Sequence, residues 1–135
     1  MQFLDTNILL YSISRNRDEQ RKRASAEELL SRDDCALSIQ VLQEFYVQAT
    51  RPTRTDALSH DIAAALVETW MRFPVQDITA AILRHALNLK KRYQFSYWDC
   101  AVIAGAHALG CEVLNSEDLK HGQIVEGLRI INPFR

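Results

Sequence analysis

Residues 97–114 read Tyr-Trp-Asp-Cys-Ala-Val-Ile-Ala-Gly-Ala-His-Ala-Leu-Gly-Cys-Glu-Val-Leu, and this stretch decides the fold class. No side chain from Cys100 to Ala106 is polar, so a helix over Tyr97–Leu109 has no face to give to water and must be buried on most sides. Gly110 stops it, and the short run Glu112–Leu114 then reads as a strand. A buried helix feeding a short apolar strand is one step of a parallel sheet covered on both faces.

The same alternation runs back to the N-terminus. Gln2–Asp5 is a short strand followed by Ile8-Leu9-Leu10-Tyr11, and Asp18–Leu30 is a charged surface helix. Cys35–Ser38 is a second strand, entering a helix whose apolar stripe is Ile39, Leu42, Phe45, Tyr46 and Ala49, with Pro52 as its stop. Leu58, Ile62, Leu66, Trp70 and Phe73 mark the buried face of a further helix, Pro74–Gln76 a weak strand, and Ile78–Lys91 another amphipathic helix. Leu128–Ile131 is the last strand, before Pro133. The expectation is a single domain over residues 1–135, a three-layer α/β/α sandwich with a short, mostly parallel central sheet.

Composition fits that expectation. The chain has 135 residues, 47% apolar and 24% charged, enough to build a core without disulfide or metal staples. Sixteen Lys and Arg against seventeen Asp and Glu leave a formal charge of -1, so no global positive field draws the protein to a polyanion and any such binding must be local. Cys35, Cys100 and Cys111 are an odd number with no C-x-x-C pair, the usage of a reduced cytoplasmic protein. The N-terminus has no basic region ahead of its apolar run, unlike a signal peptide, and no stretch approaches 18 apolar residues, so no membrane span is expected.

Four acids stand at informative places. Asp5 ends the first strand, where open α/β sheets bind ligands, although Asp5-Thr6-Asn7 is also a good Asx turn and helix N-cap. Glu44 lies on the flank of the apolar stripe of its helix, either reaching water or directed into a site. Asp99 completes a capping box with Ser96 and opens the most apolar helix, with no Lys or Arg from Ser96 to Glu112 to neutralise it. Asp118 follows the strand Glu112–Leu114 in a polar turn. All four can converge on one rim of a parallel sheet. Carboxylates about 5 Å apart repel by roughly 3 kcal/mol per pair at an effective dielectric of 20, so such a cluster needs protons or cations. Oxygen ligands alone, with His60, His85, His107 and His121 in no metal-binding pattern, point to a hard ion, Mg²⁺ or Mn²⁺.

Asp5-Thr6-Asn7, Glu44, Tyr97-Trp98-Asp99 and the run Ser116-Glu117-Asp118-Leu119-Lys120-His121-Gly122 together resemble the ordered acidic motifs of PIN-domain ribonucleases, over essentially the whole chain. Within that family the chain looks like a VapC-type toxin of a type II toxin–antitoxin pair. The resemblance implies a Mg²⁺- or Mn²⁺-dependent endoribonuclease, dimeric, held inactive by a cognate antitoxin whose C-terminal segment covers the active site. It also implies that Asp5, Glu44 and Asp99 are the central metal-binding acids and Asp118 the fourth. On the same resemblance, Thr6 and Ser116 would supply hydroxyls around them, with Asn7 and Glu117 in support. Many relatives have Thr at position 116, and Glu117 adds an acid next to the expected one, so either Glu117 or Asp118 faces the metal.

For RNA, Arg15, Arg17, Arg21, Lys22 and Arg23 outnumber Asp18 and Glu19 and offer local phosphate contacts, although a mixed-charge surface helix is also simply solvated. Tyr11, Tyr46, Tyr97 and Trp98 can stack on bases, with core packing the competing role. Two other functions compete: a phosphohydrolase using Asp5 as covalent acceptor, against which Asn7 stands where a second Asp is usual, and a non-catalytic PIN-like binding module.

Overall fold

The computed structural model describes residues 1–135. Six strands form one sheet in the order β3-β2-β1-β4-β6-β5. They are β1 (Gln2–Leu4), β2 (Cys35–Ser38), β3 (Val75–Gln76), β4 (Val113–Asn115), β5 (Ile124–Val125) and β6 (Leu128–Ile131). All neighbours are parallel except β5 and β6, which are antiparallel. The helices are α1 (Thr6–Ser12), α2 (Gln20–Leu30), α3 (Ile39–Ala49), α4 (His60–Trp70), α5 (Ala80–Arg92) and α6 (Tyr97–Ala108), with a 3₁₀ turn at Arg17–Glu19 ahead of α2. Helix α1 packs on α2 and α3, and α3 on α4, while α5 and α6 pack together with α6 across β2 and β6. The sheet is therefore the middle of three layers.

The apolar stretch of α6 behaves as its composition demands: Cys100 through Ala106 are all buried. Gly105 brings the helix down onto the sheet, where a Cβ would lie 3.7 Å from Ser38 Cβ and 3.9 Å from the Phe3 ring. Serine hydroxyls start the helices that carry the acids. Ser38 accepts from the Val41 N–H to open α3, and Ser96 accepts from the Asp99 N–H to open α6. Phe3, Leu4, Leu37, Leu114 and Ile130 are fully buried in the strands, and the three cysteines are free and buried.

Several boundaries differ from expectation. The first strand stops at Leu4, because Asp5 is the N-cap of α1 and its carboxylate accepts the Thr6 N–H. The fourth helix begins only at His60, so Leu58 is not on it, and Ile62 is 53% exposed while Ala63 and Trp70 face the core. Val41, not Ile39 or Tyr46, completes the buried face of α3. The strand after α6 is Val113–Asn115 in place of Glu112–Leu114, and β5 is additional. It joins β6 through Glu126-Gly127, both at positive φ (50° and 86°), the geometry of a tight two-residue hairpin turn.

Candidate metal centre

The site lies at the C-terminal edge of the three central strands. The register Leu4↔Asn115 between β1 and β4 sets Asp5 beside Ser116, and the Asp5 N–H donates to the Asn115 carbonyl at 3.0 Å. Asp5 is only 5% exposed. One of its carboxylate oxygens takes the Thr6 N–H at 2.7 Å and the other the Ser116 hydroxyl at 2.7 Å. The Ser116 oxygen in turn accepts the Asp118 N–H at 3.1 Å. One buried hydroxyl thus fixes two acids relative to each other.

Carboxylate oxygens of Asp5, Asp99 and Asp118 lie within 4.8 Å of one another. Three of the four acids expected to converge therefore do so. Glu44 stands beside them, bound through its own partners: Thr6 Oγ1 donates to Oε2 at 2.7 Å and Gln40 Nε2 to Oε1 at 2.9 Å. Asn7 Nδ2 donates to Asp118 at 3.2 Å. Its Oδ1 is the one buried side-chain polar atom of the chain without a partner.

Asp118, and not Glu117, joins Asp5 and Asp99. Glu117 turns the other way into an ion pair with Lys22 at 2.5 Å. Burial opposes its ionisation, but Lys22 and the Tyr11 hydroxyl outweigh burial and hold the carboxyl below its usual value. Lys22 also reaches the Tyr11 hydroxyl at 3.1 Å, and Tyr11 packs edge-on against Phe134.

The electrostatics of the trio run in the opposite sense. Burial pushes the Asp5 carboxyl up to about 7; the bonds from Ser116 and the Thr6 N–H pull against it, and the charges of Asp118 and Asp99 add to it. Burial likewise raises Asp99; the Ser96 bond opposes this, and Asp118 and Glu44 reinforce it. No lysine or arginine is among the groups acting on either acid.

Of the cations considered for RNA, Arg15, Arg17 and Arg21 are exposed, with Arg15 holding Asp56 only through its backbone N–H. Lys22 and Arg23 are committed to Glu117 and Glu27. Tyr11, Tyr46 and Tyr97 are half-buried, but Trp98 is 64% exposed, against the packing role its position beside an apolar helix suggests. Sequence reasoning passed over Gln40, which bridges Glu44 and the Trp98 carbonyl (3.2 Å). Its spacing of four from Glu44 on one helix was the available signal.

The family model for the PIN domain matches residues 3–126. The chain belongs to the PIN-domain family. Among solved structures, this PIN domain is similar to the toxin–antitoxin complex from Klebsiella pneumoniae, with a TM-score of 0.72 at 20% identity over 99% of this chain and 98% of that one. VapC20 of Mycobacterium tuberculosis, described as a sarcin-ricin loop cleaving toxin, gives 0.67 at 18% identity over 84% and 87%. VapBC2 from Rickettsia felis, bound to a promoter DNA fragment, gives 0.65 at 18% identity over 96% of each chain. At these identities the likeness is one of fold. No curated protein sequence matches the chain.

The donor set of this PIN domain suits a hard divalent cation. It is made only of oxygen, one of its acids is buried with no protein cation to balance it, and an unpartnered amide oxygen sits on the residue that holds Asp118. Burying carboxylates this close costs several kcal/mol unless the charge is compensated.

Proposed function

We propose that this PIN domain, as one nuclease domain over residues 1–135, is a Mg²⁺- or Mn²⁺-dependent endoribonuclease and the toxin of a toxin–antitoxin pair. The observation that carries the reading is the convergence of Asp5, Asp99 and Asp118, from three separate elements, on one point. These three acids would hold the ion, with Glu44 beside them. A divalent ion bound there supplies positive charge for a scissile phosphate and makes a water acidic enough to act as nucleophile near neutral pH.

The chain's own residues prepare that site. Asp5 gives up its proton to engage a cation, so affinity rises with pH through about 7. Thr6 spends its hydroxyl on Glu44 and so fixes where that carboxylate points. Ser116 keeps Asp5 and Asp118 in register. The near-complete burial of Asp5, with both oxygens hydrogen-bonded, disfavours the competing use of this residue as a covalent phosphoryl acceptor.

Toxin function draws support from the neighbours described as a toxin–antitoxin complex and as a sarcin-ricin loop cleaving toxin. An antitoxin and a second copy of the chain are the proposed protein partners, and exposed apolar side chains such as Ile78, Leu83 and Met71 give them surface to cover. No helix is long and apolar enough to cross a membrane. The cytoplasm, where thiols stay reduced and RNA is at hand, is the proposed compartment for a protein with three free cysteines.

The test is cleavage of RNA by purified protein. Cleavage should appear with Mn²⁺ or Mg²⁺, vanish with chelator, and vanish in Asp99→Asn and Asp118→Asn while both variants remain folded. Wild-type turnover by either variant, or cleavage in excess chelator, would refute the assignment.

A further inference from the structure

Beside the acidic centre, and continuous with it through Glu44, runs a groove of about 480 Å³ between α3 and the start of α6. Polar and aromatic side chains, Gln40, Gln43, Glu44, Gln48, Arg51 and Trp98, line it together with the exposed Val47. We propose that this groove is a nucleobase subsite, in which Trp98 stacks on an unpaired base next to the scissile phosphate while the α3 amides read its edge and Arg51 takes a neighbouring phosphate. The proposal rests on the nuclease reading of the acidic centre and adds to it the residues that select the RNA.

Four observations carry it. First, the indole of Trp98 is largely in solvent although it adjoins a metal-site acid, and of the aromatic rings only Tyr97 lies against it, edge to face at 5.2 Å. A large aromatic left open beside a phosphodiester site is a stacking platform. Second, Gln40, Glu44 and Gln48 fall at steps of four along one side of α3, and Arg51 follows just past its C-terminal end. From Gln40 to Gln48 that stripe runs roughly 12 Å, with Glu44 at its middle. Third, Gln43, Gln48 and Arg51 are exposed; an amide offers both a donor and an acceptor to a base edge and a guanidinium binds phosphate. Fourth, Gln40 ties the platform to the centre, donating to Glu44 and to the Trp98 carbonyl.

The groove differs in kind from the apolar one between α3 and α4, lined by Tyr46, Val67 and Met71 among others, whose surface suits a protein partner. Three amides, one cation and an exposed indole, beside Glu44 and Val47, suit an unpaired base more than a phosphate alone.

The experiment uses the full chain in its inactive Asp99→Asn form and a short fluorescent single-stranded RNA, with an abasic ribose-phosphate strand of equal length as control. Trp98→Ala should weaken binding of the RNA about tenfold or more, leave binding of the abasic strand unchanged, and leave the melting temperature unchanged. Trp98→Phe should recover most of the loss. In the otherwise wild-type enzyme, Gln43→Ala and Gln48→Ala should change the base preference at cut sites, read by sequencing the product ends. Equal RNA affinity of the Trp98→Ala form and its parent overturns the proposal. So does equal loss on the abasic strand, or conversion of an assembled protein to monomer with RNA affinity intact, which makes the groove an interface between copies. Failure of the wild type to cut RNA in Mn²⁺ overturns the nuclease reading itself, and the two failures are separate measurements.

Discussion

Replacing Asp5 by Asn should make the metal-free protein more stable at alkaline pH, and the size of the gain follows from the geometry. Asp5 is buried and its carboxyl is moved from 3.8 to about 7 in the folded chain. The native state therefore holds a proton that the unfolded state releases between these values, and wild-type stability falls as pH rises from about 4 to about 7. By pH 5 about 2 kcal/mol is lost and by pH 8 about 4 kcal/mol. Asn keeps the cap on α1, since its carbonyl accepts the Thr6 N–H as the carboxylate does, and it does not titrate. In chelator, the stability difference between Asp5→Asn and wild type should widen by about 2 kcal/mol between pH 5 and pH 8, measured by urea unfolding. In a domain of this size that is a shift of several degrees in melting temperature. Saturating Mn²⁺ should restore the wild type at pH 8 and leave Asp5→Asn where it was. Parallel pH curves for the two proteins in chelator would refute the claim that ionised Asp5 is held at a cost.

Further expectations are specific to single groups. Glu117→Gln should leave Mn²⁺ affinity, read by calorimetry, within twofold and stability within about 1 kcal/mol, because its ion pair is partly exposed; Asp118→Asn should lower that affinity at least tenfold. Ser116→Ala removes the donor to Asp5 and the acceptor for the Asp118 N–H, and should cost about 1–3 kcal/mol in denaturant unfolding, with Ser116→Thr restoring most of it. Gly105→Ala puts its Cβ at ordinary contact distance from Ser38 and Phe3 and should stabilise α6 by up to about 1 kcal/mol, a gain visible in the urea midpoint.

Elements with a local chemical cause were legible in the sequence. Helix α6 was fixed by seven apolar residues between a serine cap and a glycine stop, and β2 and β6 were apolar runs with clear ends. Helix α4 was misjudged on its face: steps of four advance about 40° each beyond a full turn, so a stripe of such steps winds around the helix and Ile62 ends outside. Strand β5 has two residues, too few for an alternating pattern, and exists because the Glu126-Gly127 turn folds it back on β6. For the site, residue types and their order were legible. Distances were not: nothing local in the sequence says that Glu44 is held by Thr6 next to the trio, or that Lys22, 95 residues away, draws Glu117 aside.

The pairing of the first and fourth strands also sets when the acidic trio can form. Asp118 and the strand that seats it are synthesised more than a hundred residues after Asp5. A growing chain can therefore assemble no acidic trio until β4 and the turn after it have been translated, and a product cut short before residue 113 lacks both β4 and Asp118. Strand order alone thus keeps the acids of a nascent chain apart until the last of the elements that seat them has been made.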